Sequence, residues 1–116
     1  MDLATMRAAD EAAAQLAASV ASYGLGVPED EIIGLKRGSA QTAFARQVAM
    51  YLCHTGFELS LTRVAHAFAR DRSTVAHACH AIEDRREEEH FDLWIGALEA
   101  MLHRAHAPRL RAGARQ

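Results

Sequence analysis

"SLTRVAHAFARDRSTVAHACHAIE", residues 60–83, carries the same apolar spacing twice. Leu61, Val64, Ala65 and Phe68 fall at i, i+3, i+4 and i+7, and Val75, Ala78, Cys79 and Ile82 repeat the interval. Each set makes one apolar stripe on a helix. Ser60 is a suitable N-cap for the first helix, and residues 69–72 form a tight polar connection to the second. Two short amphipathic helices joined this closely predict a helix-turn-helix over residues 60–84.

The flanking sequence extends the helical reading in both directions. Upstream, Phe44, Val48, Tyr51 and Leu52 keep helical spacing in a helix expected to stop at Gly56. Before it, "LKRGSAQTA" (35–43) reads as a basic Gly/Ser-containing loop, and "VPEDEIIG" (27–34) as a short helix with Pro28 at its first position and acids at its positive end. Residues 1–24 form an amino-terminal helix closed by the glycines of "YGLG". Downstream, Phe91, Trp94, Ile95, Leu98 and Leu102 give a last helix running to about His103. Residues 104–116 hold four arginines, no acid and no periodic apolar set, and read as a flexible basic tail. The expectation is an all-α chain of about six helices, forming a single domain over residues 1–103.

Composition agrees and narrows the function classes. Half of the 116 residues are apolar but only 6% are aromatic and two are proline, a balance that suits helices and argues against an all-β fold. Two cysteines are too few for a secreted disulfide framework, and no apolar run reaches membrane-spanning length, so a cytoplasmic, nucleoid-associated location is expected. The phosphate loop G-x-x-x-x-G-K-[ST], the G-x-G-x-x-G turn, the G-x-S-x-G elbow and H-E-x-x-H are all missing, so neither an enzyme nor a nucleotide or other cofactor is expected. "EDRREEEH" (83–90) reads as a solvated, mixed-charge helix end.

The net charge of -2 conceals a division along the chain. Residues 1–35 sum to -5, residues 36–80 to +4 with four histidines, and the remainder to -1. A basic middle in an acidic chain is the footprint of a polyanion site. Its tightest polar cluster, Arg70-Asp71-Arg72-Ser73-Thr74, opens the second helix of the pair, where unpaired N–H groups and the helix dipole favour negative charge. Ser73 and Thr74 can bond phosphate or a base edge, and Arg72 can reach guanine O6 and N7. Asp71 or Ser73 can equally be an ordinary helix cap, and helix pairs of this kind occur in many folds that bind no DNA. His77 and His80 share the outward face; with a cysteine they form a weak metal-site candidate that lacks zinc-ligand spacing, and no metal is expected.

Three stretches taken together carry a family resemblance: "VPEDEIIGLKR", "ARQVAMYLC" (45–53) and residues 60–83. They resemble the carboxy-terminal DNA-binding domain of the bacterial replication initiator DnaA, over about residues 17–103. The most specific parts are Arg46, Gln47, Ala49 and Met50, and the run Phe68-Ala-Arg-Asp-Arg-Ser-Thr-Val-Ala-His-Ala78, set against the family's F-G-R-D-H-[ST]-T-V-x-H-A. The resemblance implies a Trp-repressor-like fold, with Asp71, Arg72, Ser73 and Thr74 in the major groove, Arg46 and Gln47 contacting DNA, and the 35–40 loop near the minor groove. Arg72 replaces the family's histidine, which is expected to change base preference. The loop keeps only Lys36 and Arg37. The family's ATPase portion is absent, so a stand-alone domain is expected.

The resulting expectation is a sequence-specific double-stranded DNA-binding protein regulating replication initiation or transcription. Lys36, Arg37, Arg46 and Arg70 sit on phosphates in this reading, Asp71 to Thr74 read bases, and Gln47, His77 and His80 lie alongside. The rival expectation is a protein-interaction module that keeps the fold without strong DNA binding. A second copy of the chain or a regulatory protein is a candidate partner in either case.

Overall fold

The computed structural model describes the backbone of residues 2–114 and the side chains of residues 2–106. Among the described residues the chain forms six helices and no strand: α1 (Leu3–Leu25), α2 (Glu29–Ile33), α3 (Ala40–Phe57), α4 (Leu61–Phe68), α5 (Arg72–Arg85) and α6 (Glu89–Ala114). None is long and apolar enough to cross a membrane.

The centre of the molecule is α3. Six successive residues, Val48 to Cys53, are buried, which on a helix means that every face is covered. The covering on one side comes from α1, whose Ala14, Ala17, Ala18 and Ala21 are essentially sealed. Small side chains let these two backbones lie close, and larger groups elsewhere fill the core. Val64 and Phe68 of α4, Val75 and Ile82 of α5, and Ile95 and Leu102 of α6 point into the same cluster. These are the stripes that the spacing predicts.

Caps set most of the boundaries. The Asp2 carboxylate accepts from Thr5 N–H at 2.8 Å, Ser39 Oγ from Thr42 N–H at 3.1 Å and Ser60 Oγ from Arg63 N–H at 3.2 Å. α1 runs through Gly24 and ends at Gly26, whose φ of 69° no larger residue adopts easily. Gly24 instead lies against Leu98 and Trp94 of α6, where a Cβ would come within 3.0 Å of Leu98.

Two expected boundaries are corrected. Gly56 does not end α3, which continues to Phe57 and closes on Glu58 at φ 55°. The glycine is needed for another reason: a Cβ there would meet Leu102 Cδ2 at 2.4 Å. The last helix also passes His103 and continues to Ala114. Alanine, leucine and arginine favour helix by propensity even where no apolar stripe marks it. The side chains of residues 107–116 in the basic tail lie outside the described residues.

The run 83–90 is not simply solvated. Arg85 lies over the rings of Phe44 and Phe91, at 4.9 and 4.2 Å from their centroids. Arg86 binds Asp92 at 2.5 Å, Glu99 at 3.0 Å and the Tyr51 hydroxyl at 3.0 Å, and that hydroxyl donates to Glu83 at 2.7 Å. Burial and the bond to Glu83 push the Tyr51 phenol up to about 12, so it remains a neutral donor. This network locks α3, α5 and α6 together.

Candidate nucleic-acid interface

Three residues, Ala69 to Asp71, separate α4 from α5. Ala69 adopts φ 54°, ψ 48°, its N–H reaching His66 O at 3.2 Å, while Arg70 N–H reaches Ala65 O at 2.9 Å. This paired pattern is a Schellman turn, which normally places glycine at the left-handed position. Alanine there costs about 1 kcal/mol of backbone strain. Ala69→Gly is therefore expected to stabilise the fold by roughly 0.5–1 kcal/mol, raising the urea midpoint without changing the slope of the transition.

The turn presents the start of α5 to solvent. Asp71, Arg72, Ser73 and Thr74 are all exposed, whereas Val75, Ala78 and Ile82 anchor the same helix in the core. Asp71 occupies the N-cap position but its side chain makes no capping bond. Its carboxylate is thereby left available, as are the backbone donors of the first turn. Gln47 and Met50 of α3 line one shallow groove together with Ser73, Thr74 and His77. His80, one turn further on, lines a separate hollow with Tyr51, His54 and Cys79. The outward face of α5 is thus divided: Ser73, Thr74 and His77 lie on the side of Gln47, and His80 does not.

Arg46 is placed differently from the expectation of a phosphate contact. It is buried, at 5% exposure, and its guanidinium donates to four main-chain carbonyls. Nε reaches Ile32 at 2.8 Å, Nη1 reaches Arg37 at 3.2 Å, and Nη2 reaches Glu31 at 2.7 Å and Lys36 at 2.8 Å. Arg70 behaves similarly, giving Nη1 to Phe68 O at 2.9 Å and Nη2 to Gly34 O at 2.8 Å. The physical reason is the last turn of α2 and the loop that follows it, whose carbonyls converge without helix partners; a planar guanidinium is the side chain that can satisfy several at once. Burial lowers the Arg46 pKa, and the nearby Arg70 and Arg37 charges lower it further. Arg37, Arg46 and Arg70 therefore concentrate positive potential at this loop.

Lys36 and Arg37 are exposed on the loop so fixed. The bond from the Arg70 guanidinium to the Gly34 carbonyl ties it to the residue immediately before Asp71. Gln47 thus lines a groove with the start of α5, and the Arg70 bond to Gly34 brings the loop up to the residue before that start. Sequence reasoning missed that Arg46 and Arg70 organise this surface from behind. The signal was the loop itself, which is too irregular to satisfy its own carbonyls.

No group of three or more His, Cys, Asp or Glu suited to a metal ion occurs among the described residues. Cys79 falls on the packed side of α5, and burial followed by the Glu83 charge pushes its thiol up to about 11. Burial pushes Cys53 up to about 12. Neither thiol is poised as a nucleophile.

Comparison with known proteins agrees with this geometry. The family model described as the bacterial dnaA protein helix-turn-helix matches residues 14–82. Chromosomal replication initiator protein DnaA 2 of Chlamydia caviae is 39% identical over 83 residues, covering 72% of this chain and 18% of that protein. The DnaA of Aquifex aeolicus is 37% identical over 87 residues, covering 73% of this chain and 21% of its own length. A solved structure titled as a DNA replication initiation factor superposes with a TM-score of 0.73 at 29% identity, covering 83% of this chain and 30% of that one. The chain thus spans about a fifth of the length of these relatives. With the matched region running from α1 through α5 and the exposed start of α5 inside it, the chain belongs to the bacterial DnaA helix-turn-helix family.

Proposed function

We propose that this chain binds double-stranded DNA, with the start of α5 in the major groove, and regulates replication initiation or transcription by occupying initiator-type sites in the nucleoid. The observation that carries the reading is the exposed Asp71–Thr74 run, whose capping carboxylate is unused, beside Gln47 and the Lys36–Arg37 loop. Arg72, Ser73, Thr74 and Asp71 read base edges, with Gln47 and His77 along the groove wall. Lys36 and Arg37 hold phosphates, and Arg46 and Arg70 shape the loop that carries them. His80, in its separate hollow, belongs to the edge of this surface. No catalytic step and no nucleotide are assigned.

Fluorescence anisotropy on a duplex with an initiator-type site and on a random duplex tests the proposal across a salt series. With the two phosphates held by Lys36 and Arg37 neutralised, log K falls against log salt with a slope of about -1.8. Arg72→Ala is expected to lose roughly 1–3 kcal/mol of discrimination at one base pair. Equal weakening on every sequence makes Arg72 a phosphate contact instead, and a salt-independent signal removes the DNA reading.

A second reading, a protein-interaction module, is favoured by the exposure of Tyr23 on α1 and Leu93 on α6, at 77% and 65%. Light scattering on the same samples separates it: self-association without duplex binding supports this alternative.

A further inference from the structure

The stretch that carries α6 is acidic where it begins and basic where it ends. Residues 87–92 hold Glu87, Glu88, Glu89 and Asp92 with no lysine or arginine, whereas residues 103–116 hold four arginines and no acid. The inner side of the helix is used: Phe91, Ile95, Leu98 and Leu102 are buried, at i, i+4, i+7 and i+11. The side opposite carries Glu89, Leu93, Gly96, Ala97, Ala100 and Arg104 at the same helical intervals. Leu93 is 65% exposed, Glu89, Ala97, Ala100 and Arg104 are exposed with it, and a Cβ on Gly96 would meet nothing within 4 Å. Among the described residues, Glu89 and Arg104 join no ion pair. The result is a helix face about 22 Å long with an apolar and small-residue middle and one charge of each sign at its ends.

We infer that this face is the contact between two copies of the chain, with their α6 helices antiparallel. Small residues on an exposed helix fix no partner by themselves; the charges at the two ends do. A second copy reversed end to end sets Glu89 of each opposite Arg104 of the other, Leu93 of each over Ala100 of the other, and Gly96 beside Ala97 at the two-fold axis. A parallel pair in register would set like charges together. The small middle residues let the two backbones approach until each Leu93 loses its water.

The inference goes beyond the DNA-binding reading and does not require it. Because α6 follows the carboxy-terminal end of α5, pairing there leaves the Asp71–Thr74 run at the other end of α5 free in both copies. Two faces this narrow bury less than the roughly 1,200 Å² of a standard interface, so the pair is weak in the free protein and gains strength when both copies occupy one duplex.

Sedimentation equilibrium on the full chain over a concentration series tests the contact. The average mass is expected to rise with concentration from the monomer value toward twice that value, and to fall as salt screens the end charges. Glu89→Arg and Arg104→Glu each oppose like charges at both ends and are expected to weaken pairing roughly ten-fold, whereas the double variant restores opposite charges and most of the affinity. Gly96→Gln holds the helices apart at the axis and is expected to abolish pairing while raising the melting temperature, since glycine is a poor residue inside a helix. Melting of the charge variants checks that they remain folded. A chain that is monomeric at every concentration overturns the inference, and if it still binds duplex the DNA-binding reading stands. Association that survives Gly96→Gln, or that the double charge variant fails to restore, runs through another face and also overturns it. Pairing that follows the charge pattern without duplex binding upholds the inference and removes the DNA-binding reading.

Discussion

Arg46→Ala is expected to lower the free energy of unfolding by about 3 kcal/mol. The change removes a buried guanidinium that donates to four carbonyls and leaves those acceptors without protein partners. Each charge-assisted bond is worth more than a neutral one, but they are not additive, because the freed loop recovers water contacts as it opens. Arg46→Lys is expected to rescue little, since one ammonium on a flexible stem cannot span carbonyls that a planar fork reaches together. Urea unfolding measures the stability loss, and amide exchange at Lys36 and Arg37 reports loosening of the loop. Duplex affinity is expected to fall on every sequence tested, because the loop cations lose their fixed placement. Lost affinity with unchanged stability and unchanged exchange would show Arg46 acting directly on phosphate.

The second large effect lies at the other end of α5. Arg86→Ala is expected to cost about 2 kcal/mol of stability by cutting the links to Asp92, Glu99 and Tyr51 at once. Part of the loss comes from the groups left behind: Glu99 keeps only its bond from Thr55 at 3.2 Å, and the Tyr51 hydroxyl keeps only Glu83. A double-mutant cycle with Tyr51→Phe is expected to show coupling of at least about 0.5 kcal/mol, as for residues of one hydrogen-bond network. DNA affinity under native conditions is expected to stay at the wild-type value. Arg86 follows the carboxy-terminal end of α5, about 20 Å along the helix from Asp71. A fall in affinity for the folded Arg86→Ala protein would mean that the DNA-facing end of α5 depends on how its far end is held.

These two arginines also divide what residue patterns reveal from what they hide. The helices of the core were legible because burial leaves a periodic trace: Val64 and Phe68, then Val75 and Ile82, fall at helical intervals and all point inward. The exposed start of α5 was legible for the complementary reason, since polar residues placed just ahead of a stripe lie at a helix end. The family resemblance rested on that same run, and the family model covers it.

Side-chain destinations across gaps in sequence left no such trace. Arg46 sits 14 residues from Ile32, and Arg70 sits 36 residues from Gly34. An arginine buried against carbonyls and one presented to phosphate have the same letter and the same local neighbours. Gly56 looked like a helix end because glycine usually marks one, yet it serves the approach of Leu102 from another helix. The amino-acid order by itself determined the helices, their inward faces and the polar end of α5, because those depend on neighbours within a few turns. Only tertiary structure decided which cations are spent inside the protein and which remain at the surface, because that depends on where distant backbone carbonyls come to rest.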